Sequence, residues 1–313
     1  MEKGKADRGQ GITARLWDSS LIQNSASESL QIGQRSEMKG TITMKKLMIA
    51  AAAAFCATVC LAELASANIV GYNTVTLKKG YNMLAVNFED VTSTDGISIQ
   101  KLGFTLEAGL TGGANAVAGD QIQVYSAESG EYTTYFLYNN ARQPQNAKNG
   151  KWCTSTGAEA NDVTFKNGDS FWYLKRGEGD AIVAISGAVS MNANQEITIV
   201  KGYNMIGSAF PANFNPNDFG QDYWKSAIAA GAVGGANAVA GDQLQVYDAA
   251  KGEYTTYFLY NNARQATNAK NGKWCTSTGT EIAVGTEVLP VGKGAWYLHR
   301  GNGFTLTAPS PVK

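Results

Sequence analysis

The chain has 313 residues, 44% hydrophobic and 17% charged, with 26 basic and 26 acidic side chains and a formal net charge of zero. That balance fits a globular protein with packed cores. It excludes a dedicated nucleic-acid binder, because no basic stretch alternates with aromatics. Glycine is abundant (35), proline scarce (6), tyrosine frequent (14) and histidine present once, a composition that suits strands joined by turns.

Residues 1–43 are polar and aperiodic, and they read as a disordered segment upstream of the true start at Met44. From there MKKLMIAAAAAFCATVCLAELASA, residues 44–67, shows two lysines, an apolar run from Leu47 to Leu61 and the small-x-small site Ala65-Ser66-Ala67. These are the three regions of a secretory signal peptide, with cleavage expected after Ala67. The apolar run is too short to span a bilayer comfortably. The mature product is expected in the periplasm, at the cell surface or outside the cell, with no membrane span. It keeps 26 − 8 = 18 basic and 26 − 6 = 20 acidic residues once the 8 and 6 in residues 1–67 are removed.

The mature chain repeats itself at an offset of 122 residues. Gly112–Gly157 matches Gly234–Gly279 at 40 of 46 positions, including fourteen unbroken identities in GEYTTYFLYNNARQ, and KGYNM recurs at 79–83 and 201–205. Between these matches, positions 84–111 share only three identities with 206–233. The organisation expected is two tandem modules, 68–190 and 191–313, each long enough for its own core, joined at MNANQ, 191–195.

In chain order, VTLKKGYNMLAV (75–86) reads as strand, turn and strand, with Lys79-Gly80 at the turn. QIQVYS (121–126) alternates with the period of two of a half-buried strand, and Glu131–Tyr138 completes a hairpin with it. DVTF (162–165), SFWYLK (170–175) and AIVAIS (181–186) add strands. NPNDFGQDYWKSAIAAGA (215–232) predicts a short helix capped by Asn217 or Asp218, with a shorter helical piece expected at 93–110. The expected fold is all-β: two β-sandwich-like modules of about eight strands, each with one short helical excursion.

The module resembles a loosely defined group of repeat β-sandwich modules in secreted and surface proteins of Gram-negative bacteria. The residues that carry the likeness are Gly80-Tyr81-Asn82-Met83-Leu84, Val124-Tyr125 with Gly130–Tyr132, and Gly168–Trp172, repeated in the second copy at Gly202–Ile206, Val246-Tyr247 with Gly252–Tyr254, and Ala295-Trp296. The resemblance implies an all-β extracellular module of undefined activity and supplies no catalytic residues.

Nothing in the sequence composes a reaction. His299 stands where the first copy has Lys175, so neither a Ser-His-Asp set nor a Cys/His zinc site can exist in both copies; it reads as a surface residue beside Arg300. Asp120/Asp242 and Glu131/Glu253 are the shared carboxylates, read as a turn residue and a solvated strand start. NFNPNDFGQD (213–222) lacks the glycine and the final acid of a calcium loop, and capping explains it better. No catalytic residue, metal or cofactor is expected.

Cys153 and Cys275 are equivalent. They could bridge the modules, pair between chains or stay as buried thiols, and the last is favoured because a bridge needs Cα atoms within about 6 Å. The expected contact surface is the asparagine-rich loop with its flanking aromatics: Tyr138, Asn139, Asn140, Arg142, Lys148 and Trp152, and their copies Tyr260, Asn261, Asn262, Arg264, Lys270 and Trp274. In YTTYFLY both faces carry apolar residues, which predicts a strand covered on both sides. The leading functional expectation is a non-enzymatic structural or adhesive protein that associates with itself or with a surface protein or glycan. The alternative is carbohydrate binding at the loop.

Overall fold

The computed structural model describes residues 69–311. The upstream segment 1–43 and the expected signal peptide 44–67 lie outside the described residues. The fold is all-β, with antiparallel sheets and a single α-helix among the described residues.

The first half contains β1 (Val70–Leu77), β2 (Gly80–Ala85), β3 (Ile97–Ser98), β4 (Gln121–Ser126), β5 (Glu131–Leu137), β6 (Trp152–Thr154), β7 (Thr164–Phe165), β8 (Ser170–Lys175) and β9 (Ala181–Ala188). The second half contains β10 (Asn194–Ile199), β11 (Gly202–Gly207), β12 (Gln243–Asp248), β13 (Glu253–Tyr260), β14 (Lys273–Thr276), β15 (Gly294–His299) and β16 (Phe304–Pro309), with helix α1 at Gln221–Ala229. Each half builds a five-stranded sheet in the same order, β2-β8-β4-β5-β6 and β11-β15-β12-β13-β14. A separate two-stranded ribbon accompanies each, β1-β9 and β10-β16. The short pair β3-β7 is reduced in the second half to a single bridge between Phe214 and Leu289. Nine and seven strands therefore stand where eight and eight are expected.

Strand alternation explains the layers. In β2, Asn82 and Leu84 turn inward while Tyr81, Met83 and Ala85 turn outward. Leu84, Ile122, Leu137, Phe171 and Tyr173 from the sheet meet Val75 and Leu77 of β1 and Val183 and Ile185 of β9, closing the first core. The second half repeats this with Ile206, Leu244, Leu259, Ala295 and Tyr297 against Ile199 and Leu306. The layer facing each sheet inside its own half is thus a ribbon and connecting turns. Gly80 and Gly202, at φ of 92° and 96°, open the equivalent strands β2 and β11 in a conformation that L side chains rarely adopt.

The outer faces of the two five-stranded sheets pack on each other. Met83, Trp172 and Trp296 form a buried cluster with Tyr125, Met205 and Tyr247 around it. The contacts are reciprocal. Tyr125 meets Trp296 edge-on at 5.0 Å, and its copy Tyr247 meets Trp172, the counterpart of Trp296, at 5.0 Å. The Ala85 N–H donates to the Gly292 carbonyl (3.0 Å), and the equivalent Gly207 N–H to the equivalent Gly168 carbonyl (2.8 Å). Residue i touching j while the copy of j touches the copy of i is the signature of a two-fold relation.

At that pseudo-axis, equivalent residues meet each other, and in each pair one member is glycine. Ala85 faces Gly207: a Cβ on Gly207 would overlap the Ala85 methyl. Ser170 faces Gly294: a Cβ there would overlap the Ser170 hydroxyl and come within 2.8 Å of the Leu84 carbonyl. Identical small side chains on both sides could not approach this closely. Divergence between the copies is what lets the halves close.

The variable segment hides a second regularity. Gln100 pairs with the backbone of Trp152, donating to its carbonyl (2.8 Å) and accepting from its N–H (3.0 Å). Asn217 does the same to Trp274, at 2.9 and 2.7 Å. These partners are offset by 117 residues, not 122. The loop after Phe210 is five residues shorter than the loop after Phe88, and α1 restores the five. Because the two changes cancel, the ungapped alignment shows no insertion and almost no identity. The helix itself starts at Gln221, later than expected. Asn215, not Asn217 or Asp218, caps the preceding 3-10 turn Pro216–Phe219, its side chain accepting from the Asn217 N–H. In the first half the helical piece is two short 3-10 turns, Ile99–Lys101 and Leu106–Ala108.

Candidate functional site

The asparagine-rich loops are built to hold themselves. The Asn149 side chain accepts from the Asn140 N–H (2.8 Å) and donates to the carbonyls of Gln143 (2.9 Å) and Pro144 (3.2 Å). Asn271 repeats the pattern with Asn262, Gln265 and Ala266. The Lys148 ammonium donates to the Gly157 carbonyl (2.8 Å), and Lys270 to Gly279 (3.0 Å). Asn146 reaches the Tyr138 hydroxyl and Asn268 that of Tyr260. Asn139 and Asn261 press against Gly112 and Gly234, where a Cβ would overlap them. The repeated polar block therefore satisfies the loop's own backbone. Arg142 and Arg264 are exposed.

Three of the expected surface aromatics are corrected. Trp152 and Trp274 are each only 1% exposed, and Tyr260 is buried at 8%. Trp152 lies inside the first core with its indole N–H on the Phe104 carbonyl (3.0 Å), and Trp274 packs on Trp224 of α1. A tryptophan next to a polar loop is drawn inward here because Gln100 or Asn217 fastens its backbone to the core side. Tyr138 is half-buried. The second loop is also partly covered, since Gln221 of α1 donates to the carbonyls of Ala269 (3.0 Å) and Asn271 (2.6 Å).

The shared aspartates are not turn residues in solvent. Asp120 is fully buried and accepts from the Arg176 N–H (2.7 Å), the Tyr173 hydroxyl (2.9 Å) and the Thr111 N–H (3.1 Å). Asp242 accepts from Arg300, Tyr297 and Val233 in the same way. Burial, reinforced by the neighbouring aspartate, pushes the Tyr173 and Tyr297 hydroxyls far up, so they stay protonated and donate.

His299 is likewise buried, contrary to the surface reading. Its Nε2 accepts from the Gly303 N–H (3.0 Å), which places the proton on Nδ1, facing Asp242 at 2.9 Å. In the first half, Lys175 instead donates to the carbonyls of Gly177 (2.7 Å) and Gly179 (2.9 Å). The two side chains fasten the same turn with opposite hydrogen-bond polarity. An Asp-His pair sealed this way has its bonding filled by the fold. Glu131 and Glu253 are exposed, far from forming a facing pair with the buried aspartates. Among the described residues, no group of three or more His, Cys, Asp or Glu is placed to hold a metal ion.

Cys153 and Cys275 are free and fully buried. The two-fold relation that could bring equivalent cysteines together does exist. However, they sit on β6 and β14, three strands out from the β8 and β15 strands at the axis, or roughly 14 Å at ordinary strand spacing. Burial pushes both thiols up, which lowers thiolate content and reactivity. Ellman's reagent is expected to label neither cysteine in the native protein and both after denaturation; fast native labelling would contradict this packing.

One further surface was not anticipated from the sequence. Where the two sheets meet, a shallow groove of about 320 Å³ is lined by Tyr81, Gln123, Tyr132, Trp172, Tyr247 and Tyr254. It draws on both halves. Of its rings, Tyr81 is 44% exposed, Tyr132 47% and Tyr254 46%; Tyr203, the counterpart of Tyr81 outside this groove, is also 44% exposed. Tyr81 stands edge-on to Trp172 (5.8 Å) and Tyr203 to Trp296 (5.6 Å), while Tyr132 rests on Tyr125 and Tyr254 on Tyr247 (both 5.1 Å). Burial pushes the Tyr132 and Tyr254 hydroxyls up. Tyr132 and Tyr254, one from each half, line the same groove. The signal that could have revealed this was the run of outward positions Tyr81, Tyr125 and Tyr132, all duplicated. Only the two-fold packing makes them one surface.

Comparison of the chain with family models, curated proteins and solved structures gives no match.

Proposed function

We propose that this is an exported, non-enzymatic protein of the cell surface or extracellular space, with a structural or adhesive role, whose contact surface is the tyrosine groove. The observation that carries the reading is the placement of three half-exposed tyrosines, Tyr81, Tyr132 and Tyr254, on one groove spanning both copies. Aromatic rings supply large contact area at low conformational cost, and fixing them between two packed sheets orders them before any partner arrives. The sealed aspartates and His299 support a non-enzymatic role, since each has its bonding capacity filled by the fold. The leader-like segment 44–67 supports export, and no helix among the described residues is long and apolar enough to cross a membrane. Carbohydrate binding at the loop loses its flanking tryptophans.

Fractionation of the producing cells tests the reading. The expected result is a chain beginning at Asn68, found in the envelope or the medium. An unprocessed chain confined to the cytoplasm would overturn it.

A further inference from the structure

We infer that the groove binds an uncharged glycan, laid across the rings of both halves; the inference rests on the groove being the contact surface. Its chemistry is selective. No side chain lining it is charged. The charges next in chain are the carboxylates of Glu131, Asp248 and Glu253, beside Tyr132, Tyr247 and Tyr254, which disfavour a polyanion. What the groove offers is ring faces, phenolic hydroxyls and the Gln123 amide, already oriented by donation to Gln121 (2.8 Å). A ligand that matches has apolar C–H faces alternating with neutral hydroxyls, as a pyranose chain does.

Two other ligands favour aromatic grooves. A proline-rich peptide is read by indole N–H groups donating to its carbonyls, but here both indole side chains are buried, Trp172 and Trp296 at 8% exposure each. A quaternary ammonium needs ring faces converging on one point, whereas these rings line an open trough and meet edge-on.

The groove is at the small end for a ligand cleft, so it fits a short stretch of a longer chain. The pseudo-two-fold relation repeats its members as Tyr203, Gln245, Trp296 and Tyr125, with Tyr132 and Tyr254 near the axis. Affinity should therefore rise with glycan length until both halves are covered.

The test is titration of the mature protein, followed by tryptophan fluorescence. The probes are neutral oligosaccharides, disaccharide to hexasaccharide, of the cellulose, chitin, β-1,3-glucan and mannan series, with tetramethylammonium and a polyproline peptide as competitors. The variants are Tyr81→Ala with Tyr203→Ala, both on the exposed face, and Arg142→Ala with Arg264→Ala as a control on the loops. Binding in at least one series, strengthening with length and weakened about tenfold or more by the tyrosine pair only, is expected. Binding of none of the series, or tighter binding of either competitor, overturns the glycan assignment. In that case, attachment to isolated cell envelopes decides the reading beneath it. Attachment lost with the tyrosine pair leaves the groove as contact surface with a different partner, and attachment unaffected by that pair overturns both.

Discussion

Replacing Asp120 by alanine should lower the stability of the folded chain by about 3–5 kcal/mol. The carboxylate is completely buried, and three donors converge on it from the Arg176 backbone, the Tyr173 hydroxyl and the Thr111 backbone. Removing it leaves all three without an acceptor in a place water does not reach. An unmet buried donor costs about 1–3 kcal/mol, and neighbouring losses do not add fully. Tyr173 also stacks on Phe104 at 4.9 Å, so turning its hydroxyl elsewhere would disturb the core. Asp120→Asn, similar in volume, should cost less, because its oxygen still serves one side of the cage. Asp242→Ala should match Asp120→Ala or exceed it, since His299 loses its partner too. Urea unfolding with an unchanged dependence on denaturant reads the difference. A loss below about 1 kcal/mol would show that the cage is not a structural node.

The second large effect lies at the pseudo-axis. Gly294→Ser restores serine on both sides, and Gly207→Ala restores alanine on both sides. Neither glycine has a positive φ, so the cost is space alone. The introduced Cβ atoms run into Ser170 and Ala85, and overpacking of this kind costs about 1–3 kcal/mol per site. The damage should fall on the contact between halves, with Trp172 and Trp296 becoming more exposed and their fluorescence shifting to the red. Exchange tests the geometry directly. Ser170→Gly should rescue Gly294→Ser, and Ala85→Gly should rescue Gly207→Ala, because only the sum of the two side chains matters at an axis. A single variant as stable as the wild type, or a failed rescue in both pairs, would contradict the close approach.

Much of the fold was legible in the sequence because alternation with a period of two survives in 121–126, 131–138 and 170–175, and because the repeat marked equivalent strands twice. YTTYFLY showed apolar residues on both faces, and both faces are covered at Phe136 and Leu137. What remained hidden has physical reasons. A strand as short as Trp152–Thr154 carries no periodicity, so its neighbour the polar loop decided the reading, and Trp152 was placed outside. Asp120 follows a glycine, as turn residues do, but its donors come from Thr111, Tyr173 and Arg176, distant in sequence. His299 has no apolar context in LHRGNG, and only the return of the turn to Gly303 buries it. The groove could not be read because its members are unremarkable one by one: each tyrosine is an ordinary outward residue of a strand, and their assembly depends on which way the second half turns.

The most direct measurement is attachment of the mature protein to isolated envelopes of the producing cells, compared among wild type, Tyr132→Ala with Tyr254→Ala, and Arg142→Ala with Arg264→Ala. The groove account predicts that the tyrosine pair weakens attachment about tenfold or more while the arginine pair leaves it within about twofold. Attachment lost with the arginines and retained without the tyrosines would place the working surface on the asparagine-rich loops and contradict the account.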